Sequence, residues 1–217
     1  MHLLLIRHAE SIGNCAAQIQ AQVDDALTAK GKAQAQQLGR FLSRQSWHPT
    51  HLYCSPLVRS HHTAHLLRQA LPTPDLQPIV AADLQEIDHG IFQGLTWAEA
   101  QIQYPDLCAQ LTDSVDWIPI PGGESPQDCR DRAHRFLKTL LATHQNTDRI
   151  WVISHGGFLQ YLIAELLGCD RTWGLAIAPT ARFEFELDLS RWFQASLNLH
   201  NPVLWKIHQF NQTLPLD

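Results

Sequence analysis

A short aliphatic run, His2-Leu3-Leu4-Leu5-Ile6, stops abruptly at Arg7-His8, and it narrows the available folds more than any other segment. Such a run has no polar face to give to water, so it predicts a strand covered on both sides, as in the parallel sheets of α/β proteins. Two later runs behave alike. Thr50 to Cys54 passes into Ser55-Pro56, where serine at the cap and proline at the first helical position predict a helix through Gln69. Arg149 to Ser154 passes into His155-Gly156-Gly157 and then an apolar helix from Phe158 to Leu167. Strands that run out into a turn and a helix predict an α/β fold with parallel strands. In open sheets of this kind, ligands sit outside the carboxyl ends of the strands.

The remaining pattern fits that frame. Thr28 caps a predicted helix from Ala29 to Gln45, with Leu38, Phe41 and Leu42 on one stripe. A helix is expected from Thr96 to Tyr104 with a restart at Pro105, and another from Ser125 to Thr143 after the rigid turn Pro119 to Gly123. Pro78 to Ala82 reads as an edge strand. Arg182 to Leu187 alternates with period two and can pair antiparallel with Val203 to Phe210, either completing a sheet edge or serving a homodimer contact. No linker or repeat divides the 217 residues, so a single domain over 1–217 is expected.

Charge and cysteine content exclude several classes. The 16 Lys+Arg against 21 Asp+Glu leave no excess for a nucleic-acid backbone, so an anionic small molecule would need a local basic pocket. Five separated cysteines without a Cys-x-x-Cys pair suggest neither a zinc site nor a disulfide framework. The first apolar run is too short for a signal peptide, and no stretch approaches the ~20 apolar residues a membrane span needs. A soluble, cytoplasmic protein with no membrane partner is expected. His61, His62 and His65 include an i, i+4 pair but no matching acidic partner, and read as a solvated helix face.

Arg7-His8, Arg59 and His155-Gly156-Gly157 all fall at or just beyond strand ends. Two arginines can each grip phosphate oxygens, and helix starts after Cys54 and Ser154 would aim amide dipoles at the same anion. A neutral imidazole attacks phosphorus, and the phosphohistidine formed is hydrolysed in a second step. Positive charge from Arg7 and Arg59 would hold His8 neutral, while His155 would donate to the phosphoryl oxygens as they gain charge. The leaving alkoxide needs a proton. Glu86 is the leading candidate for the donor, with Asp88 as the alternative.

These residues stand within six motifs in order: Arg7-His8-Ala9-Glu10-Ser11 with Asn14, Leu27 to Ala35, and Ser55-Pro56-Leu57-Val58-Arg59-Ser60 with Thr63-Ala64. Leu84-Gln85-Glu86 with Gly90 and Gly94, Pro121 to Ser125, and Val152 to Gly157 follow. Together they resemble the histidine phosphatase superfamily, in its phosphoglycerate mutase-like branch with an Arg-His-Gly signature. The resemblance implies His8 as the phosphorylated nucleophile; Arg7, Arg59 and His155 as the phosphate pocket; and Glu86 as the proton donor. It further implies a three-layer α/β/α sandwich with a mostly parallel central sheet and antiparallel edge strands, Asn14 as a phosphate or substrate contact, with Ser11 and Gly156 beside it, and catalysis without metal or other cofactor. Three places depart from the pattern: Ala9 replaces the usual glycine, the loop Cys15 to Asp24 is Gln-rich without glycine, and His89 stands where an aromatic or small residue is common. The expected activity is hydrolysis of a small phosphorylated metabolite. A phosphoglycerate mutase and a non-catalytic phosphate-binding regulator are the alternatives, and the short segment between Glu86 and Pro121 favours the phosphatase over the mutase.

Overall fold

The computed structural model describes residues 1–73, 75–115, 117–170, 172, 174–192 and 205–214. β1 (His2–Arg7) leads through a single turn, α1 (Ile12–Cys15), to α2 (Ala29–Leu42). β2 (His51–Cys54) precedes α3 (Val58–Gln69) and β3 (Pro78–Val80). An excursion then carries α4 (Trp97–Gln103) and α5 (Pro105–Asp113) before α6 (Pro126–Thr143). β4 (Arg149–Ser154), α7 (Gly156–Leu167), β5 (Arg182–Leu187) and β6 (Trp205–Gln212) follow. The sheet order is β3-β2-β4-β1-β5-β6. The first four strands are parallel, while β5 and β6 join antiparallel at the edge.

Burial on both faces explains the uninterrupted apolar runs. Leu3 and Leu5 of β1, with Ile150 and Val152 of β4, pack toward α6 and α7 against Phe136, Leu140, Phe158 and Leu162. Leu4, Ile6, Trp151 and Ile153 point to the other layer, against Leu38 of α2 and Leu67 of α3. Each such side chain contributes about 1.5–3 kcal/mol by leaving water. The β1–β4 register sets Arg7 opposite Ser154, and the His8 N–H donates to the Ser154 carbonyl at 2.9 Å. His8 and His155 therefore leave the sheet side by side.

Several boundaries differ from the sequence expectations. α3 begins at Val58, not at Ser55-Pro56, because Ser55 closes its own turn by accepting the Leu57 N–H at 3.2 Å. Its first amide is capped from afar, as Val58 N–H donates to Asp24 Oδ1 at 2.6 Å. α2 stops at Leu42 rather than Gln45, and α7 begins two residues before Phe158. β3 ends at Val80, and β6 is described from Trp205, so the expected start at Val203 lies outside the described residues. No helix among the described residues is long and apolar enough to cross a membrane.

Candidate active site

His8 is buried in the loop after β1, and that loop is pinned from two helices. The Ala9 N–H donates to Thr63 Oγ1 of α3 at 3.1 Å, and the Glu10 N–H donates to Gln34 Oε1 of α2 at 2.9 Å. The loop lies so close to α2 that a Cβ at Gly31 would fall 1.9 Å from the Glu10 carbonyl oxygen, which only glycine avoids. His8 Nδ1 is 2.7 Å from the Ala9 carbonyl oxygen. A carbonyl can only accept, so Nδ1 carries the proton and the neutral ring keeps its lone pair on Nε2. Burial, then Arg7 and Arg59, push the His8 pKa well below the usual histidine range. The ring is thereby held neutral.

The His155 ring stands 5.0 Å from that of His8, centroid to centroid. It is fully buried, and neither of its nitrogens has a hydrogen-bond partner among the described residues. Burial, then the neighbouring His8 and arginines, also push its pKa well down. Arg7 donates to the Ile177 carbonyl. Arg59 is 1% exposed and donates to the carbonyls of Val23 at 2.5 Å and Ala21 at 2.7 Å, so it anchors the loop before α2. The Nε atoms of both arginines are buried without a partner. Two cations and a buried imidazole therefore surround a neutral histidine, a setting that suits an anion.

Glu86 joins the site from the other side. Its Oε1 accepts the N–H groups of Ile87 at 3.0 Å and Phe158 at 2.8 Å, and its Oε2 accepts that of Gly157 at 3.1 Å. A carboxylate thus occupies the start of α7, and the Asp24 carboxylate occupies that of α3. The two helix starts expected to face a phosphate are instead bound by acidic side chains, as helix amides and dipole favour. A Cβ on residue 157 would lie 2.7 Å from Glu86 Oε1, so glycine there lets the carboxylate approach. Asp88 turns inward and accepts the Gly90 N–H at 2.8 Å, closing its own turn.

Arg132 lies outside the motif pattern and Glu124 within its Pro121 to Ser125 segment, and together they set the course of the Glu86 loop. Arg132 on α6 donates to Glu124 Oε1 at 2.9 Å and Oε2 at 2.7 Å, and to the carbonyls of Asp83 at 2.9 Å and Gln85 at 2.6 Å. Its guanidinium also lies 4.1 Å over the Phe158 ring. Glu124 accepts the Asp88 N–H at 2.8 Å. The basic residue seven positions after Ser125 was the signal available in the sequence.

Ser11 is buried and caps α1. It donates to Gln20 Oε1 at 2.6 Å, while Asn14 Oδ1 accepts the Ser11 N–H at 3.1 Å. The Ser11 hydroxyl is therefore engaged with the protein, and Asn14 is only half-buried. The glycine-free loop reaches its path through Ala17 and Ala21, both in the left-handed region at φ 54° and 47°. It docks on the excursion through the Ile19 N–H to Leu95 carbonyl bond at 2.7 Å. His89 meets Trp117 edge to face at 5.4 Å. Gly156 sits against Arg7, where an added Cβ would lie 3.3 Å from Nε.

The sequence signature of the histidine phosphatase superfamily (branch 1) matches residues 3–200. Phosphoserine phosphatase 1 of Hydrogenobacter thermophilus is 33% identical over 168 residues, covering 77% of this chain and 77% of that protein. A "probable phosphoglycerate mutase" of Salmonella paratyphi C is also 33% identical over 168 residues, covering 77% of this chain and 75% of its own. Among solved structures, a mycobacterial glucosyl-3-phosphoglycerate phosphatase with VO3 aligns at TM-score 0.73 and 26% identity, over 85% of this chain and 92% of that one. The activity class common to these relatives is phosphatase or mutase. Since the match takes in every segment that brings a side chain to the site, the chain belongs to the histidine phosphatase superfamily, branch 1.

Proposed function

We propose that the chain is a metal-independent phosphomonoesterase that passes a phosphoryl group through His8 to water. One observation carries this reading: a fully buried His155 ring with both nitrogens unbonded, 5.0 Å from a neutral His8 whose Nε2 holds a lone pair. Leaving buried polar atoms unpaired costs about 1–3 kcal/mol per group, which a phosphoryl group between the rings would recover. In the first step Glu86, held in its protonated form by the phosphate dianion bound beside it, gives its proton to the departing alkoxide as Nε2 attacks phosphorus and the P–O ester bond breaks. In the second, water attacks the phosphohistidine, Glu86 takes the water proton, and phosphate leaves with His8 restored. Arg7, Arg59 and His155 offset the charge that grows on the phosphoryl oxygens. Asn14 borders the phosphate at the substrate side. Ser11 supports that border through its cap rather than by direct contact, and Gly156 gives its backbone to the pocket wall.

The names of the relatives favour small anionic phosphomonoesters, with phosphoserine the first to assay. Hydrolysis of an aryl phosphate should survive EDTA and fall at least about 1,000-fold in His8→Ala. Loss of wild-type activity on chelation would overturn the metal-free chemistry, and an active His8→Ala would overturn the nucleophile. Interconversion of 2- and 3-phosphoglycerate with little free phosphate would replace hydrolysis by the mutase reading that the Salmonella relative suggests.

A further inference from the structure

Away from His8, at the opposite ends of the strands, three side chains from distant segments meet. His51 opens β2, His144 follows the last turn of α6, and Asp148 stands just before β4. The parallel pairing that sets His51 beside Ile150 brings these segments together. One donor atom from each of the three lies within 4.8 Å of the others, and no second group of this kind occurs among the described residues. We propose that His51, His144 and Asp148 form a binding site for a divalent ion of zinc's class, separate from the phosphoryl chemistry.

Two imidazoles and one carboxylate suit zinc, cobalt or nickel better than magnesium or calcium, which prefer oxygen alone. His144 Nδ1 and Asp148 Oδ2 are already 3.0 Å apart. Tetrahedral ligands around zinc stand about 3.3 Å from each other, so this pair needs almost no movement. The His51 ring meets that of His144 nearly edge to face, 4.4 Å between centroids, and closes in from the third side. A plain cap of the α6–β4 turn accounts for the pair four residues apart, but not for His51.

The surroundings also fix the ring protons. The Thr50 hydroxyl donates to the Arg149 carbonyl at 3.1 Å, so at 2.9 Å it accepts from His51 Nδ1 and leaves the lone pair on Nε2. His144 Nε2 is 2.9 Å from the Tyr53 hydroxyl. On binding, His144 adopts the tautomer with its single proton on Nε2, where it donates to the Tyr53 hydroxyl, and Nδ1 turns its lone pair to the ion, the outer-shell arrangement common to metal-bound histidines. The Gln145 N–H holds Asp148 Oδ2 at 3.0 Å. His144 has a 3% exposed side chain and Asp148 a 15% exposed one, shielded but reachable. His51, Thr50 and Arg149 line a cleft of about 590 Å³ through which an ion can enter. Water completes the coordination.

Calorimetric titration of Zn2+ into the EDTA-treated, dialysed full chain tests the site, with Co2+ visible absorption as a geometric readout. One equivalent should bind, Co2+ should show tetrahedral d–d bands, and Zn2+ should raise the melting temperature. His51→Ala and Asp148→Asn should each weaken binding at least about 10-fold while leaving aryl phosphate hydrolysis by the metal-free protein unchanged. His61→Ala/His65→Ala, which removes the i, i+4 pair on α3, should bind as the wild type does. No stoichiometric binding by the wild type, unchanged binding in the His51 and Asp148 variants, or loss of binding in the α3 variant would each overturn the proposal.

Discussion

His8 and His155 are held neutral by burial and by the arginines beside them, and this has a stability consequence with a definite sign. Below about pH 6.5 the unfolded chain takes up protons on these two rings that the folded chain refuses. Stability should therefore be fully present above that pH and be lost as pH falls, by about 1.4 kcal/mol per pH unit for each ring until its folded pKa is reached. Urea unfolding at pH 7 and pH 5 measures the slope, and His155→Gln should make it shallower by one ring's share. A slope unchanged in His155→Gln would show that the ring titrates normally. Single residues are also where the sequence was most readable. Arg7, His8 and His155 lie at strand ends and Arg59 in the first turn of the helix after one, so local pattern alone locates them. The proton positions on His8 were not readable, because they depend on the Ala9 carbonyl and on how the loop folds back.

Among the elements, strands and helices followed from apolar runs and from the Thr28 cap, whose side chain accepts the Gly31 N–H, while Thr96 and Ser125, expected as first helical residues, are caps that precede their helices by one position. The start of α3 did not follow, because Asp24 caps it across 34 residues, a contact no local motif encodes. The same limit hid Arg132, which acts on the backbone of a loop far from its own helix. That loop depends on one side chain bridging α6, Glu124 and the carbonyls before Glu86. Arg132→Ala should destabilise the fold by about 3 kcal/mol, since Glu124 is left unpaired. It should also lower kcat about 100-fold by letting Glu86 drift, with a smaller change in KM. Denaturant unfolding and steady-state kinetics at a temperature where the variant stays folded separate the two effects. An unaltered kcat would show that Glu86 does not rely on this bridge.

For the molecule as a whole, the central sheet brings together residues from both ends of the chain: β1 lies between β4 and β5, so the site forms only once distant segments have met. Binding an anion there should then stabilise the entire fold. Orthovanadate at 100 times its Kd should add about 2.7 kcal/mol and raise the melting temperature of the wild type. Arg59→Ala should lose most of that gain, and an equal shift in both proteins would place the anion elsewhere. The parallel character of the sheet and its antiparallel edge were legible from the patterns of Leu3 to Ile6 and Arg182 to Leu187, but the strand order was not. The excursion that carries α4 and α5 was legible as elements only, since its small core of Phe92, Ala100, Cys108 and Ile120 has no periodic counterpart elsewhere.

Arg59 holds the carbonyls of Val23 and Ala21, and the loop it holds bends through two alanines in a backbone region costing about 1–2 kcal/mol each. On the proposed function, a phosphoryl group in the pocket would draw on the same guanidinium that keeps this bent loop down. If the proposed phosphatase reading holds, a single arginine would tie recognition of the substrate's charged end to the shape the loop offers to the remainder.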